Sequence, residues 1–245
     1  MQETTKKLLP IVSFLIVIIG VGIFIFLMSD SKASGTASQE KNEPQTSTST
    51  QNSDPIENID QKWVKGNPDA KVKIIEYSDF QCPYCKKGAD SVGAIYEKYK
   101  DQVSVTFVHF PLNSIHPAAT PAAQAAEAAG LQGKFWEMHD LLFNNQGNLT
   151  KSDFISYAKK LELDIQLFEK HLNNTNVLDK VNKQLKEAES QEFEEIALDE
   201  NDKIISKGKT KIEGTPAFLI NGKLVFGAYP LEKFEKFILA ELNKK

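Results

Sequence analysis

Cys82 and Cys85 are the only cysteines in this 245-residue chain, and they stand together as Cys82-Pro83-Tyr84-Cys85. Three kinds of chemistry use such a spacing: structural zinc, covalent haem attachment and dithiol redox exchange. Structural zinc takes four ligands, usually from two such pairs, but there is no second pair and His109, His116, His139 and His171 are scattered. Haem attachment wants a histidine directly after the second cysteine, where Lys86 stands. Redox exchange remains. With no other cysteine in the chain, the two sulfurs react with each other or with the thiols of another molecule.

A nucleophilic thiolate needs a place that favours negative charge. The start of a helix supplies one, through unpaired backbone N–H groups and the positive end of the dipole. Lys71 to Tyr77 reads as a strand, and Pro83 onward to about Lys100 reads as a helix with Ala89, Val92, Ile95 and Tyr96 on one face. Pro83 suits the first helical position because the N–H it lacks would have no partner there. Cys82 is then expected as the exposed attacking sulfur, with Cys85, one turn inside, resolving the mixed disulfide. A dipole contribution of up to about 2 kcal/mol, roughly 1.5 pK units, takes a thiol from near 8.5 to about 7.

The rest of the chain must hold this turn in place. Val103 to His109 reads as a second strand, giving a parallel strand–helix–strand unit. An all-helical middle follows. Thr120-Pro121 is expected to start an alanine-rich helix that Gly130 stops. Further helices follow around Phe135 to Leu142, after Thr150, and after Thr175. Ala217 to Ile220, Asn221-Gly222 and Lys223 to Phe226 form a hairpin signal, and Leu231 to Leu242 a closing amphipathic helix. The fold class is α/β: a thioredoxin-like core with a helical insertion at about 112–208, in a domain spanning 61–245.

Leu8 to Met28 is apolar and uncharged, long enough as a helix to cross about 30 Å of hydrocarbon. It reads as an uncleaved anchor rather than a signal peptide, whose apolar core usually runs about 7–15 residues. A lipoprotein is excluded because no cysteine lies near it. Lys6 and Lys7 place residues 1–7 in the cytoplasm and the domain outside, giving a single-pass protein of the cell membrane. Residues 29–60, rich in Ser, Thr, Gln and Asn, read as a disordered linker. The net charge of −4 gives no electrostatic reason to expect nucleic acid.

Four segments together resemble the DsbA family of exported thiol-disulfide oxidoreductases, in particular the membrane-tethered BdbD kind of Gram-positive bacteria. They are Gly66 to Ala70, Tyr77 to Cys85, the stretch from Phe110-Pro111-Leu112 to Trp136, and Gly214 to Phe218. The resemblance implies a cis-proline at Pro216 beside the sulfurs, and backbone pairing of Thr215 with an extended client peptide. It also implies an acidic residue under the site at Glu76, able to exchange protons with Cys85; the competing reading of Glu76 is a solvated edge-strand carboxylate. Partners implied are reduced exported proteins and a quinone-linked, DsbB-like membrane reoxidase. No cofactor beyond the cysteine pair and no metal is expected.

This sequence departs from the family's pattern at Tyr84, where enterobacterial enzymes carry histidine, and C-P-Y-C also occurs in the reducing glutaredoxins. The redox direction is therefore open between an oxidase and a tethered reductase or isomerase, and a non-enzymatic peptide-holding module beside Pro216 is the reading from another class. Glu187 to Asp202 is expected as a solvated helix or loop, with a calcium-binding loop as the competing reading. His116 is expected to serve a helix start, and Phe135 and Trp136 to line the core or a groove wall. The Asn148-Leu149-Thr150 triplet fits a glycosylation sequon of the kind that arises by chance.

Overall fold

The structure is a computed structural model that describes residues 62–244. The anchor expected at 8–28 and the linker at 29–60 lie outside the described residues, among which no helix is long and apolar enough to cross a membrane.

Among the described residues, seven strands form one mixed sheet. In chain order they are β1 (Trp63–Lys65), β2 (Val72–Ser78), β3 (Val103–His109), β4 (Glu192–Leu198), β5 (Ile204–Lys211), β6 (Ala217–Ile220) and β7 (Lys223–Phe226). Across the sheet they run β1-β3-β2-β6-β7-β4-β5. β2 pairs parallel with β3 through the helix α1 (Pro83–Tyr99), and antiparallel with β6. β2 is thus an interior strand. Its apolar and β-branched residues meet neighbours on both sides, which is what a run such as Val-Lys-Ile-Ile suits. The β6–β7 turn needs left-handed backbone at both central residues, and Asn221 and Gly222 supply it with φ of 48° and 84°.

α1 and the last helix, α7 (Leu231–Leu242), cover one face of the sheet, where Val92, Ile95, Phe234 and Phe237 bury against Val72, Ile74, Phe218 and Val225. Five helices lie between β3 and β4: α2 (Ala119–Gly130), α3 (Phe135–Asn144), α4 (Lys151–Lys160), α5 (Ile165–Leu172) and α6 (Thr175–Ser190). The first four of them share a core of Ala126, Met138, Leu142, Phe154 and Phe168 that continues through Phe80 and Phe107 to the two cysteines.

Several expectations need correction. The Thr120-Pro121 pair is not the cap of α2. The helix opens one residue earlier, at Ala119, and Ala118 before it makes no side-chain cap. The run of the chain expected to be all helix ends in the β4–β5 hairpin, so Glu187 to Asp202 is the end of α6, then a strand and a turn, rather than a solvated helix or loop. Alternating charges on this outer strand pair mask the period-2 signal, while parallel pairing of β4 with β7 attaches the hairpin to the sheet. Short α5 and β1 were also missed. By contrast, Thr150 caps α4 and forms a reciprocal capping box with Asp153.

Candidate active site

β2 ends at Ser78 and α1 begins at Pro83, so residues 79–82 form the turn that presents the cysteines. Cys82 is the extended N-cap of α1, Pro83 occupies its first turn, and that turn holds no acidic residue. The turn is braced by buried Asp79. One carboxylate oxygen accepts the Gln81 N–H at 2.8 Å; the other accepts the Leu112 N–H at 2.9 Å and lies 2.8 Å from His116 Nδ1. The Asp79 N–H in turn points at Cys85 Sγ, 3.4 Å away. His116 is therefore tied to the cysteine turn through its ring, while its carbonyl accepts the N–H of Ala119, the first residue of α2, at 3.0 Å. From α3's end, the Gln146 amide donates to the carbonyls of Phe80 and Cys82, both at 2.8 Å.

Both cysteines are free thiols and both are buried. Cys82, expected to be exposed, is only 4% accessible; it is Tyr84, at 62%, that faces solvent. The reason is tertiary: the Thr215 segment lies against Cys82, whose Sγ is 3.9 Å from the Thr215 carbonyl oxygen. A hydrogen bond from the Cys85 thiol is the largest influence on Cys82. Against the opposing effect of burial, and with help from the Cys85 and Tyr84 N–H groups and Thr215, it lowers the Cys82 pKa to about 6. Helix-start electrostatics alone led to about 7. Burial, with the hydrogen bond to Cys82 and its charge, pushes the Cys85 thiol far up. One sulfur is thus poised as a thiolate and the other holds its proton.

The Thr215–Pro216 bond is cis. Gly88, on the second turn of α1, allows this loop to come close: a Cβ there would stand 2.8 Å from Phe218 Cζ and 3.3 Å from Pro216 Cγ.

Glu76 is not a solvated edge carboxylate. It lies on interior β2 between Phe107 and Phe218, fully buried, and burial pushes its pKa up to about 7. It lines a cavity of about 40 Å³ with Lys65, Gly93, Trp136, His139 and Asp140. Phe135, as expected, is core, stacked on Trp63 with ring centroids 5.0 Å apart.

Farther off, sequence reasoning missed a buried polar cluster. Glu127 accepts from Trp63 Nε1 at 2.9 Å and Lys180 Nζ at 2.7 Å, and lies 3.0 Å from His109 Nε2. Burial alone would raise its pKa, but His109 and Lys180 hold it down. It ties α2 and α6 to β1 and β3. No local pattern marks such a cluster, because Trp63 and Lys180 lie 64 and 53 residues from Glu127 on opposite sides of it in the chain. Among the described residues, no group of three or more His, Cys, Asp or Glu side chains is arranged to hold a metal ion.

A thioredoxin family model matches residues 58–240. The Na(+)/H(+) antiporter NhaA 1 of Salinispora arenicola is 38% identical over 175 residues, which are 71% of this chain and 24% of that protein. NhaA 3 of Salinispora tropica is 36% identical over 183 residues, 74% of this chain and 25% of that protein. The chain thus spans about a quarter of the length of the curated relatives it matches. Among solved structures, oxidised BdbD from Bacillus subtilis superposes with a TM-score of 0.60 at 22% identity, covering 75% of this chain and 94% of that one. A thioredoxin-like oxidoreductase from Silicibacter pomeroyi gives 0.59 at 20% identity, with 79% and 99% covered. At such identities the likeness is one of fold, an α/β thioredoxin-like sheet carrying a helical insertion. The match over 58–240 is what assigns the family: the chain belongs to the thioredoxin family.

Proposed function

We propose that this protein is a membrane-tethered thiol-disulfide oxidoreductase of the DsbA type, of the BdbD kind, that introduces disulfides into exported proteins. The observation that carries the reading is the unequal pair: a Cys82 thiolate at the start of α1 beside the Thr215–Pro216 segment, and a protonated, buried Cys85 behind it. A client thiolate attacks Cys82 Sγ of the Cys82–Cys85 disulfide, and the electron pair leaves on Cys85. A second client thiolate then attacks the client sulfur of the mixed disulfide and expels Cys82. The client gains a disulfide and the pair is left as two thiols.

Glu76 exchanges the proton that Cys85 gains or loses. Thr215 offers its backbone to an extended client, so that many sequences are accepted. A quinone-linked, DsbB-like membrane partner takes the electrons from the reduced pair. The apolar stretch Leu8 to Met28 supports tethering with the domain outside, where disulfides persist. No ion transport is read from the antiporter relatives, since only a quarter of each is matched.

Magnitude limits what the thiolate alone explains. Lowering one thiol from 9.0 to about 6 favours the reduced form at pH 7 by about 1.4 kcal/mol, or roughly 30 mV. The couple's reduction potential against glutathione therefore tests the direction. A value between about −120 and −180 mV supports the oxidase, and one near −270 mV turns the reading to a tethered reductase.

A further inference from the structure

Ser78 is the last residue of β2 and sits two positions beyond Glu76, so both side chains leave the same face of the strand, under α1. Both are buried to within 1%. Among the described residues, neither the Ser78 hydroxyl nor Glu76 Oε1 has a hydrogen-bond partner within normal limits. A buried hydroxyl beside a buried carboxyl, each with capacity to spare, is destabilising unless the site uses them. Ser78 also acts on both groups that must trade a proton: it draws the Glu76 carboxyl and the Cys85 thiol each towards the ionised form, against their burial. The Asp79 N–H that reaches Cys85 Sγ belongs to the next residue, so the end of β2 runs directly beneath that sulfur.

We infer that the Ser78 hydroxyl is the proton relay between Glu76 and Cys85. The inference rests on the thiol-disulfide reading above. When a client thiolate breaks the Cys82–Cys85 bond, Cys85 leaves as a thiolate. Ser78 gives its hydroxyl proton to that sulfur and takes the carboxyl proton of Glu76. The result is a Cys85 thiol, an unchanged serine and a Glu76 carboxylate, with no net charge created. In the reverse step the carboxylate takes the proton back through Ser78, and the Cys85 thiolate attacks Cys82 of a mixed disulfide. A carboxylate in this apolar setting needs a return path for its proton, and the cavity at Glu76 runs towards exposed Asp140. The charged and titratable groups facing Glu76 are Lys65 from β1, Tyr96 from α1, and His139 and Asp140 from α3; β3 and β6 present Phe107 and Phe218.

The test is the rate at which Cys85 resolves a glutathione mixed disulfide on Cys82, followed against pH in the whole chain. Ser78→Ala should slow resolution on the order of tenfold to a hundredfold near neutral pH. It should leave the Cys82 thiolate titration close to that of the parent. A relay also predicts strong non-additivity: Glu76→Gln/Ser78→Ala should be no slower than Glu76→Gln alone. An unchanged Ser78→Ala rate, or a double variant slowed by the full product of both factors, overturns the relay. Thermal unfolding of each variant separates slow chemistry from lost fold, and Ser78→Thr, which keeps the hydroxyl, should recover the rate if it folds. The underlying reading fails differently: Cys82→Ser would then retain thiol-disulfide exchange.

Discussion

Cys82 Sγ and the Thr215 carbonyl oxygen stand 3.9 Å apart although 133 residues separate them in the chain. This contact closes the front of the cysteine pair and makes Cys82 a buried sulfur. On the function proposed above, a client would approach along the Thr215–Pro216 edge, past exposed Tyr84.

The low Cys82 pKa is owed first to its neighbour. Replacing Cys85 with alanine removes the strongest influence while leaving the N–H groups of α1's first turn in place. A charge-assisted hydrogen bond of about 1.5–3 kcal/mol corresponds to roughly one to two pK units. The ultraviolet absorbance of the thiolate should therefore titrate at a midpoint higher by about that amount than the value near 6 of the parent. A midpoint that does not move would assign the effect to the helix start instead.

Glu76→Gln should stabilise the protein, and only above acid pH. The carboxyl has its pKa raised from 4.5 to about 7 on folding, so the unfolded chain ionises first as pH rises. Stability lost to this group begins near pH 4.5, accumulates to about pH 7 and is then constant. The full penalty is at most about 3 kcal/mol. Denaturant unfolding should show the variant ahead of the parent by up to that margin at mildly alkaline pH, and level with it at pH 4 and below.

Two glycines of α1 should respond oppositely to alanine. Helix propensity favours alanine by about 1 kcal/mol at either position. At Gly93 nothing lies within 4 Å of the new Cβ, so the gain should appear in full. At Gly88 the Cβ would stand 2.8 Å from Phe218, itself fully buried, and overpacking of about 1–3 kcal/mol wins. Gly88→Ala should lower the unfolding midpoint. It should also slow exchange with a peptide disulfide more than with glutathione, because Pro216 is pushed as well.

The elements nearest the chemistry were legible because their signals are local. The β2, α1 and β3 periodicities, Pro83 at the helix start, the Asn221-Gly222 turn and the Thr150–Asp153 box each depend on residues within one or two turns of each other. β4 and β5 were hidden because their exposed positions carry Glu and Lys, and α5 is only 8 residues long. Glu76 was legible only through the family resemblance. His116, Asp79 and Gln146 were passed over as bracing residues, since their partners are brought to them by loops closing over 37 to 66 residues.

By itself the sequence determined that a lone cysteine pair begins a helix after a strand, which is what points to thiol chemistry. A spacing of two residues puts both sulfurs into one turn whatever surrounds them. The tertiary structure decided how unequal those sulfurs are. Burial makes Cys85 hold its proton and raises the Glu76 pKa to about 7, while the hydrogen bond from Cys85 lets Cys82 shed its own against burial. Desolvation depends on every segment that excludes water from a group, and those segments come from the far ends of the chain.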